Sequence, residues 1–198
     1  MVIPRNEFKS QKIFGKALAQ CEPTHELPLS NHSFHVVLVE PEIGANTGNV
    51  GRTCVGLGAK LHLVGKLGFS ITDRRLKRAG LDYWPHLDFV HHATWEDWWR
   101  TVPDPSRVFF FSTKAKTSIY ETQFQEGDWL VFGRETKGLD PEVLEKFSEQ
   151  LRQIPMTGPI RSLNMATSVA VALFEGFRQV SGATSPVITS RGGATSHS

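Results

Sequence analysis

The 198-residue chain has only two cysteines, Cys21 and Cys54, far apart in the sequence. That excludes a disulfide framework and a zinc-ligand spacing, and it fits a reducing cytosol, so a cytoplasmic location is expected. Its eight histidines show no metal-ligand spacing, and no metal site is expected. No apolar run approaches the ~18 residues of a membrane helix, and the N-terminus has no signal-peptide apolar core. The first twenty residues hold four basic residues and only Glu7 as an acid, but they lack the serine and arginine richness of a transit peptide. A net charge of +2 is too weak to declare a nucleic-acid partner, so any such claim rests on local patches. There is no Ser/His/Asp set, no Lys-Ser/Thr after a glycine loop, no G-x-G-x-x-G and no internal repeat. A nucleotide-triphosphate binder is thereby excluded.

What is present is an alternation. Apolar runs of strand length fall at 35–40, 60–65, 86–92, 107–114, 128–135 and 151–156. Helical segments are expected over 49–59, 73–80, 94–102, 141–149 and 162–180, with Thr94 as an N-cap and Pro141 in a first turn. The order predicts an α/β domain over 34–180, built on a mostly parallel sheet with helices on both faces. Residues 1–33 read as an extension with one short helix, and 181–198 as a small, polar, disordered tail. Trp95, Trp98 and Trp99 are helically spaced and read as packing.

In such sheets ligands sit beyond the carboxyl ends of strands. Three polar or glycine-rich loops lie there. The first, EPEIGANTGNVGRT (40–53), reads either as a tight turn capped by Asn46 or Thr47 or as a binding loop. With the helix counted from Asn49, Arg52 stands near its N-terminus, opposes the dipole and calls for an anionic partner. The second, FGRETKGL (132–139), is either a loop of solvated charges or a place where Gly133 lets backbone approach a ligand and Glu135 accepts hydrogen bonds. The third, IPMTGPIRSLN (154–164), offers Ser162 as a helix cap and Asn164 in the first turn. Leu163, Ala166, Ala170, Leu173 and Phe177 then form an apolar stripe suited to core or subunit contact. The one dense basic patch is DRRLKRAGLDYW (73–84). Arg74, Arg75, Lys77 and Arg78 either pair phosphates, with Tyr83 or Trp84 free to stack on bases, or form a solvated face. His91 and His92 are neighbours and must point to opposite faces if they lie in a strand.

Taken in this order, VLVEPEIGANTGNVGRTC, GFSITDRRLKRAGLDYW, VFGRETKGL and IPM followed by RSLNMATSVAVALFE resemble the SPOUT class of RNA 2′-O-methyltransferases. The second of these is similar to the branch acting on the wobble pyrimidine of tRNA. The resemblance covers about residues 34–180. It implies a C-terminal deep trefoil knot, S-adenosylmethionine as cofactor, a homodimer, and the tRNA anticodon stem-loop as partner. It implies cofactor contacts at Phe111, Ser112, Gly133, Glu135, Gly138, Ile154, Met156, Ser162 and Leu163. Catalytic roles are implied for Arg52, Asn46, Ser162 and Asn164, with RNA contacts at Arg74, Arg75, Lys77, Arg78, Tyr83 and Arg161. Another RNA, such as ribosomal RNA, or a catalytically silent RNA-binding protein of the same fold are the alternatives. Phe174 departs from a family pattern that has tyrosine there.

The implied chemistry explains the missing nucleophile. In methyl transfer to a ribose 2′-hydroxyl the substrate oxygen attacks, so the protein supplies position and electrostatics. Arginine has no lone pair to offer while charged, so Arg52 is expected to pair a phosphate and orient the hydroxyl.

Overall fold

A computed structural model describes residues 33–70 and 83–181. The 73–80 helix, the N-terminal extension, Cys21 and most of the tail lie outside the described residues. The described residues form six strands: β1 (Phe34–Val39), β2 (Lys60–Val64), β3 (Phe89–His92), β4 (Val108–Phe111), β5 (Asp128–Phe132) and β6 (Leu151–Arg152). They form one sheet in the order β3-β2-β1-β5-β4-β6, and every pairing is parallel. β1 and β5 are buried along their whole length, which is why they read as unbroken apolar runs.

Among the described residues four α-helices cover the two faces: α1 (Gly44–Leu57), α2 (Trp95–Trp99), α3 (Pro141–Lys146) and α4 (Met165–Val180). α1 and α4 bury Val50, Cys54, Val169 and Leu173 against one face of the sheet. On the other face Trp95, Trp98 and Trp99 of α2 pack with Phe110, Trp129 and Phe147. The tryptophan cluster is therefore packing, as expected. Thr94 caps α2 by accepting from the Asp97 amide. Burial pushes the Cys54 thiol up to about 12, so it is an inert core group.

Several boundaries differ from expectation. β6 is two residues long, not six, because the chain leaves the sheet at Gln153 to form the site loop. α3 ends at Lys146 and passes into a 3-10 turn at Ser148–Gln150. α4 begins at Met165, with Asn164 as its N-cap in place of Ser162. The buried face of α4 is Met165, Val169, Ala172, Leu173 and Gly176. Of the expected stripe only Leu173 is fully buried, while Ala166, Ala170 and Phe177 are half-buried. Gly176 sets this rotation: a Cβ there would come 2.8 Å from the Phe34 ring of β1.

A histidine ladder crosses the sheet on the tryptophan face. His35 Nδ1 lies 2.9 Å from His62 Nε2, and His62 Nδ1 lies 3.0 Å from His92 Nε2. All three rings are buried, and Trp129 stacks on His35 at 4.0 Å. Each link needs one nitrogen to donate and the other to accept, so neutral rings satisfy the ladder. Its neighbour His91 points outward and bonds the Gly65 carbonyl at 2.9 Å, so the two adjacent histidines do face opposite ways.

Burial holds His92 below the usual histidine range. The unfolded chain then binds more protons than the folded one as pH falls. The stabilisation is complete above about pH 6.5 and is lost as pH drops below it toward the folded value. Thermal melts should therefore show the protein losing stability from pH 7 to pH 5. His92→Asn should flatten that slope.

Candidate active site

α1 starts five residues earlier than its sequence suggests, and the reason is Glu135. Ile43 is the N-cap and supplies no side-chain bond. The Glu135 carboxylate takes that place from the loop after β5. It accepts from the Glu42 amide at 2.8 Å, the Ile43 amide at 3.2 Å and Asn46 Nδ2 at 3.1 Å. A carboxylate at a helix N-terminus satisfies free amides and complements the dipole. With the helix beginning at Gly44, Arg52 lies well inside it, so the expected opposition between Arg52 and the dipole does not arise. Neither Asn46 nor Thr47 is a cap; both are buried inside the helix.

The carboxylate also sets a chain of polarity. An ionised carboxylate only accepts, so Asn46 must turn its amide nitrogen toward Glu135. Its oxygen then faces the other way and accepts from Asn164 Nδ2 at 3.0 Å. Asn164 in turn presents its own oxygen to the Ala166 amide at 2.9 Å and the Thr167 amide at 3.4 Å, capping α4. One relay of side chains thus ties the loop after β5 to the starts of α1 and α4.

A second set of contacts closes the same loops. The Thr136 amide and hydroxyl both donate to Glu42, each at 2.9 Å. The Thr136 amide, then its hydroxyl, holds the Glu42 carboxyl below the usual carboxylate range. Arg134 is 16% exposed and bridges Glu40 at 2.6 Å and Asp140 at 2.7 Å. The Asp140 carboxylate, and then that of Glu40, raise its pKa above the ordinary arginine value. The 132–139 loop is therefore a locked structure, not a set of solvated charges. Within it Arg134 and Gly138 exchange backbone hydrogen bonds of 3.1 and 2.9 Å, with Gly138 at φ 68°. Gly133 has no room for a side chain, because a Cβ there would collide with the backbone of Gly138 and Leu139.

These loops enclose a cavity of about 520 Å³ at the carboxyl ends of β4 and β5. The size is ordinary for a small-molecule site. Of the expected cofactor contacts, Phe111, Ser112, Gly133 and Glu135 line it, as do Gly138, Ser162 and Leu163. Asn46 and Asn164 line it too. Ile154 and Met156 line an adjoining pocket that shares Phe111, Ser112, Ser162 and Leu163 with the first.

Other expected site residues stand elsewhere. Arg52 is exposed on α1 and is not among the cavity-lining residues. Arg161 is exposed on the loop before α4, outside the lining. Tyr83 is only 7% exposed, too buried to offer a free face to a base; of the two aromatics considered for stacking, Trp84 is the more open. Arg74, Arg75, Lys77 and Arg78 lie outside the described residues. Lys114 and Lys137 line the cavity and were not singled out in the sequence, where each is one lysine in a polar loop. Their ammonium groups suit an anionic end of a ligand. No cluster that could hold a metal ion occurs among the described residues, and none of their helices is long and apolar enough to cross a membrane.

Replacing Glu135 by glutamine tests the relay. One amide oxygen cannot serve donors that now reach both carboxylate oxygens, and its NH2 would face an amide N–H. Because Glu135 is half-exposed, the stability loss should be about 1–3 kcal/mol. Cofactor affinity should fall with it, by roughly tenfold. Calorimetry and thermal melts on the same variant measure both.

Residues 33–174 match the model of the SpoU rRNA Methylase family. A tRNA (cytidine(34)-2′-O)-methyltransferase of Burkholderia pseudomallei is 46% identical over 148 residues, covering 74% of this chain and 95% of the relative. A putative tRNA (cytidine(34)-2′-O)-methyltransferase of Bacillus subtilis is 42% identical over 151 residues, covering 74% and 93%. A solved structure described as giving insight into the 2-OH methylation of C/U34 on tRNA superposes with a TM-score of 0.73 at 48% identity. It covers 77% of this chain and 99% of its own. The AdoMet complex of the SpoU methyltransferase AviRb from Streptomyces viridochromogenes shares the fold at a TM-score of 0.67 and 22% identity. With the family model spanning the whole described sheet and its site loops, this chain belongs to the SpoU rRNA Methylase family.

Proposed function

We propose that the protein transfers a methyl group from S-adenosylmethionine to the ribose 2′-hydroxyl of the wobble pyrimidine of tRNA. The observation that carries this reading is the Glu135–Asn46–Asn164 relay at the rim of a cavity built from three loops. The names of relatives at 42–48% identity support the tRNA substrate.

The residues present fit the cofactor. Gly133 lets the backbone of Gly138 and Leu139 close against it and so shapes the cavity wall, and Phe111, Phe132 and Leu163 give apolar walls. Lys114 and Lys137 suit a carboxylate, while Ser112 and Ser162 offer hydroxyls. When bound, S-adenosylmethionine supplies an electrophilic methyl group on a sulfonium. The chain itself positions the reacting groups: Asn46 is held by two neighbours and cannot turn, and Arg52 supplies a charge for a backbone phosphate. The basic segment holding Arg74, Arg75, Lys77 and Arg78, together with Arg161, completes the RNA surface on this reading.

The homodimer belongs to the same proposal. Phe174 and Tyr120 are 57% and 65% exposed, and they border a concave patch with Leu57, Val171 and Phe177. Apolar side chains gathered this way are suited to a second copy of the chain. The trefoil knot and the 34–180 domain limits are likewise part of this reading.

Incubation with methyl-labelled S-adenosylmethionine and total tRNA, followed by nucleoside digestion, tests it. Label in a 2′-O-methylated pyrimidine nucleoside is the expected result. Incorporation into ribosomal RNA alone would replace the substrate, and absence of cofactor binding by calorimetry would overturn the enzyme reading.

A further inference from the structure

We propose that Tyr83 is a positioning residue for Arg52, holding its guanidinium where it meets the RNA. The inference rests on the proposed role of Arg52 and adds a residue that acts through it.

Tyr83 lies along one face of α1. Its hydroxyl donates to the Gly48 carbonyl at 2.6 Å, and the Arg52 Cζ sits 5.0 Å from its ring centroid. Gly48 and Arg52 are four residues apart, so they are neighbours on consecutive turns, and the phenol spans the distance between them. Gly51 completes the seat. A Cβ at Gly51 would stand 3.6 Å from the Tyr83 ring and 2.9 Å from Leu87. Both glycines of the GNVGRT stretch are buried, and Gly51 leaves the room that Leu87, beside the Tyr83 ring, occupies.

The choice of tyrosine follows from its two ends. A buried phenol needs a partner for its hydroxyl, and the Gly48 carbonyl provides one. That bond satisfies the hydroxyl, and the π face of the ring attracts the cation. Ordering a long arginine side chain against a phosphate costs rotamer entropy. The ring restricts that freedom before RNA arrives. The sequence 44–53 and the sequence 83–87 are thus one device, although neither suggests the other.

The experiment is a mutant cycle on the full chain, read as kcat for methyl transfer to tRNA and as cofactor affinity by calorimetry. Tyr83→Phe keeps the ring and should stay within about threefold of the parent. Tyr83→Leu and Tyr83→Met remove the π face while keeping apolar bulk. Each should lower kcat about tenfold with cofactor affinity unchanged. In an Arg52→Ala background the same changes should have no further effect, since the ring acts only through the arginine. Losses that multiply with Arg52→Ala, a Phe variant as slow as the Leu variant, or an unimpaired Leu variant would each overturn the proposal. Full activity in Arg52→Ala alone would instead remove the role of Arg52, and this inference with it. A check on the unmutated protein uses no variant: the Arg52 side-chain protons should carry an upfield ring-current shift in the NMR spectrum, and its absence overturns the contact.

Discussion

Arg52→Lys should lose methyl transfer by about a hundredfold or more while binding S-adenosylmethionine as the parent does. The expected size comes from what a lysine cannot do. A guanidinium donates through a planar fork to two phosphate oxygens, whereas an ammonium is a single point charge on a flexible stem. An error of about 1 Å in placing a reacting group can cost about a hundredfold, because proximity contributes so much of the acceleration. The separation of effects comes from the structure, since Arg52 is not among the residues lining the cavity that the proposed function gives to the cofactor. Single-turnover methyl transfer and calorimetry, run side by side, measure the two properties. Equal turnover in the lysine variant would mean that charge alone suffices and that the fork has no role.

Gly133→Ala is expected to abolish cofactor binding and to lower stability by several kcal/mol. A single methyl group has this effect because the obstacle is backbone. The added Cβ would collide with Gly138 and Leu139, which are held by the Arg134–Gly138 hydrogen-bond pair and by the Arg134–Asp140 ion pair. A flexible side chain could swing aside, but this loop must open. Opening it removes one wall of the cavity and frees Glu135 from the start of α1. The neighbouring Gly138→Ala gives the contrast. Nothing lies within 4 Å of a Cβ there, and only its φ of 68° is unfavourable. Its cost should be near 1–2 kcal/mol. Melting curves and cofactor titrations of the two variants compare a steric block with a dihedral one. Similar behaviour of the pair would show that the close approach at Gly133 yields.

The alternation of strands and helices was legible in the sequence. The continuous apolar run at β1 identified a strand covered on both faces, and β5, read only as a strand, is buried in the same way. Glycines and prolines in three loops pointed to the ends of those strands, and most of the residues named for the cofactor do line one cavity. The spacing of Trp95, Trp98 and Trp99 gave their packing role, since a short helix puts them on the sheet. The resemblance to known methyltransferases added the reaction, which no periodicity could have supplied.

Other features were decided only when distant segments met. α1 begins at Gly44 because its capping group, Glu135, lies over ninety residues away. No local signal near Ile43 announces that cap. The same holds for Tyr83, which stands beside a basic run and so reads as an RNA contact. Folding instead buries it against the glycine face of α1, where it meets Arg52. Arg134 reads as a loop charge until Glu40 and Asp140 close around it. Local sequence determined which segments become strands and helices, because backbone propensity and apolar periodicity act over a few residues. The tertiary structure decided where α1 starts, which amide faces which carboxylate, and what holds the arginine. Those depend on hydrogen-bonding groups whose partners are far apart in the chain and become neighbours only in the packed sheet.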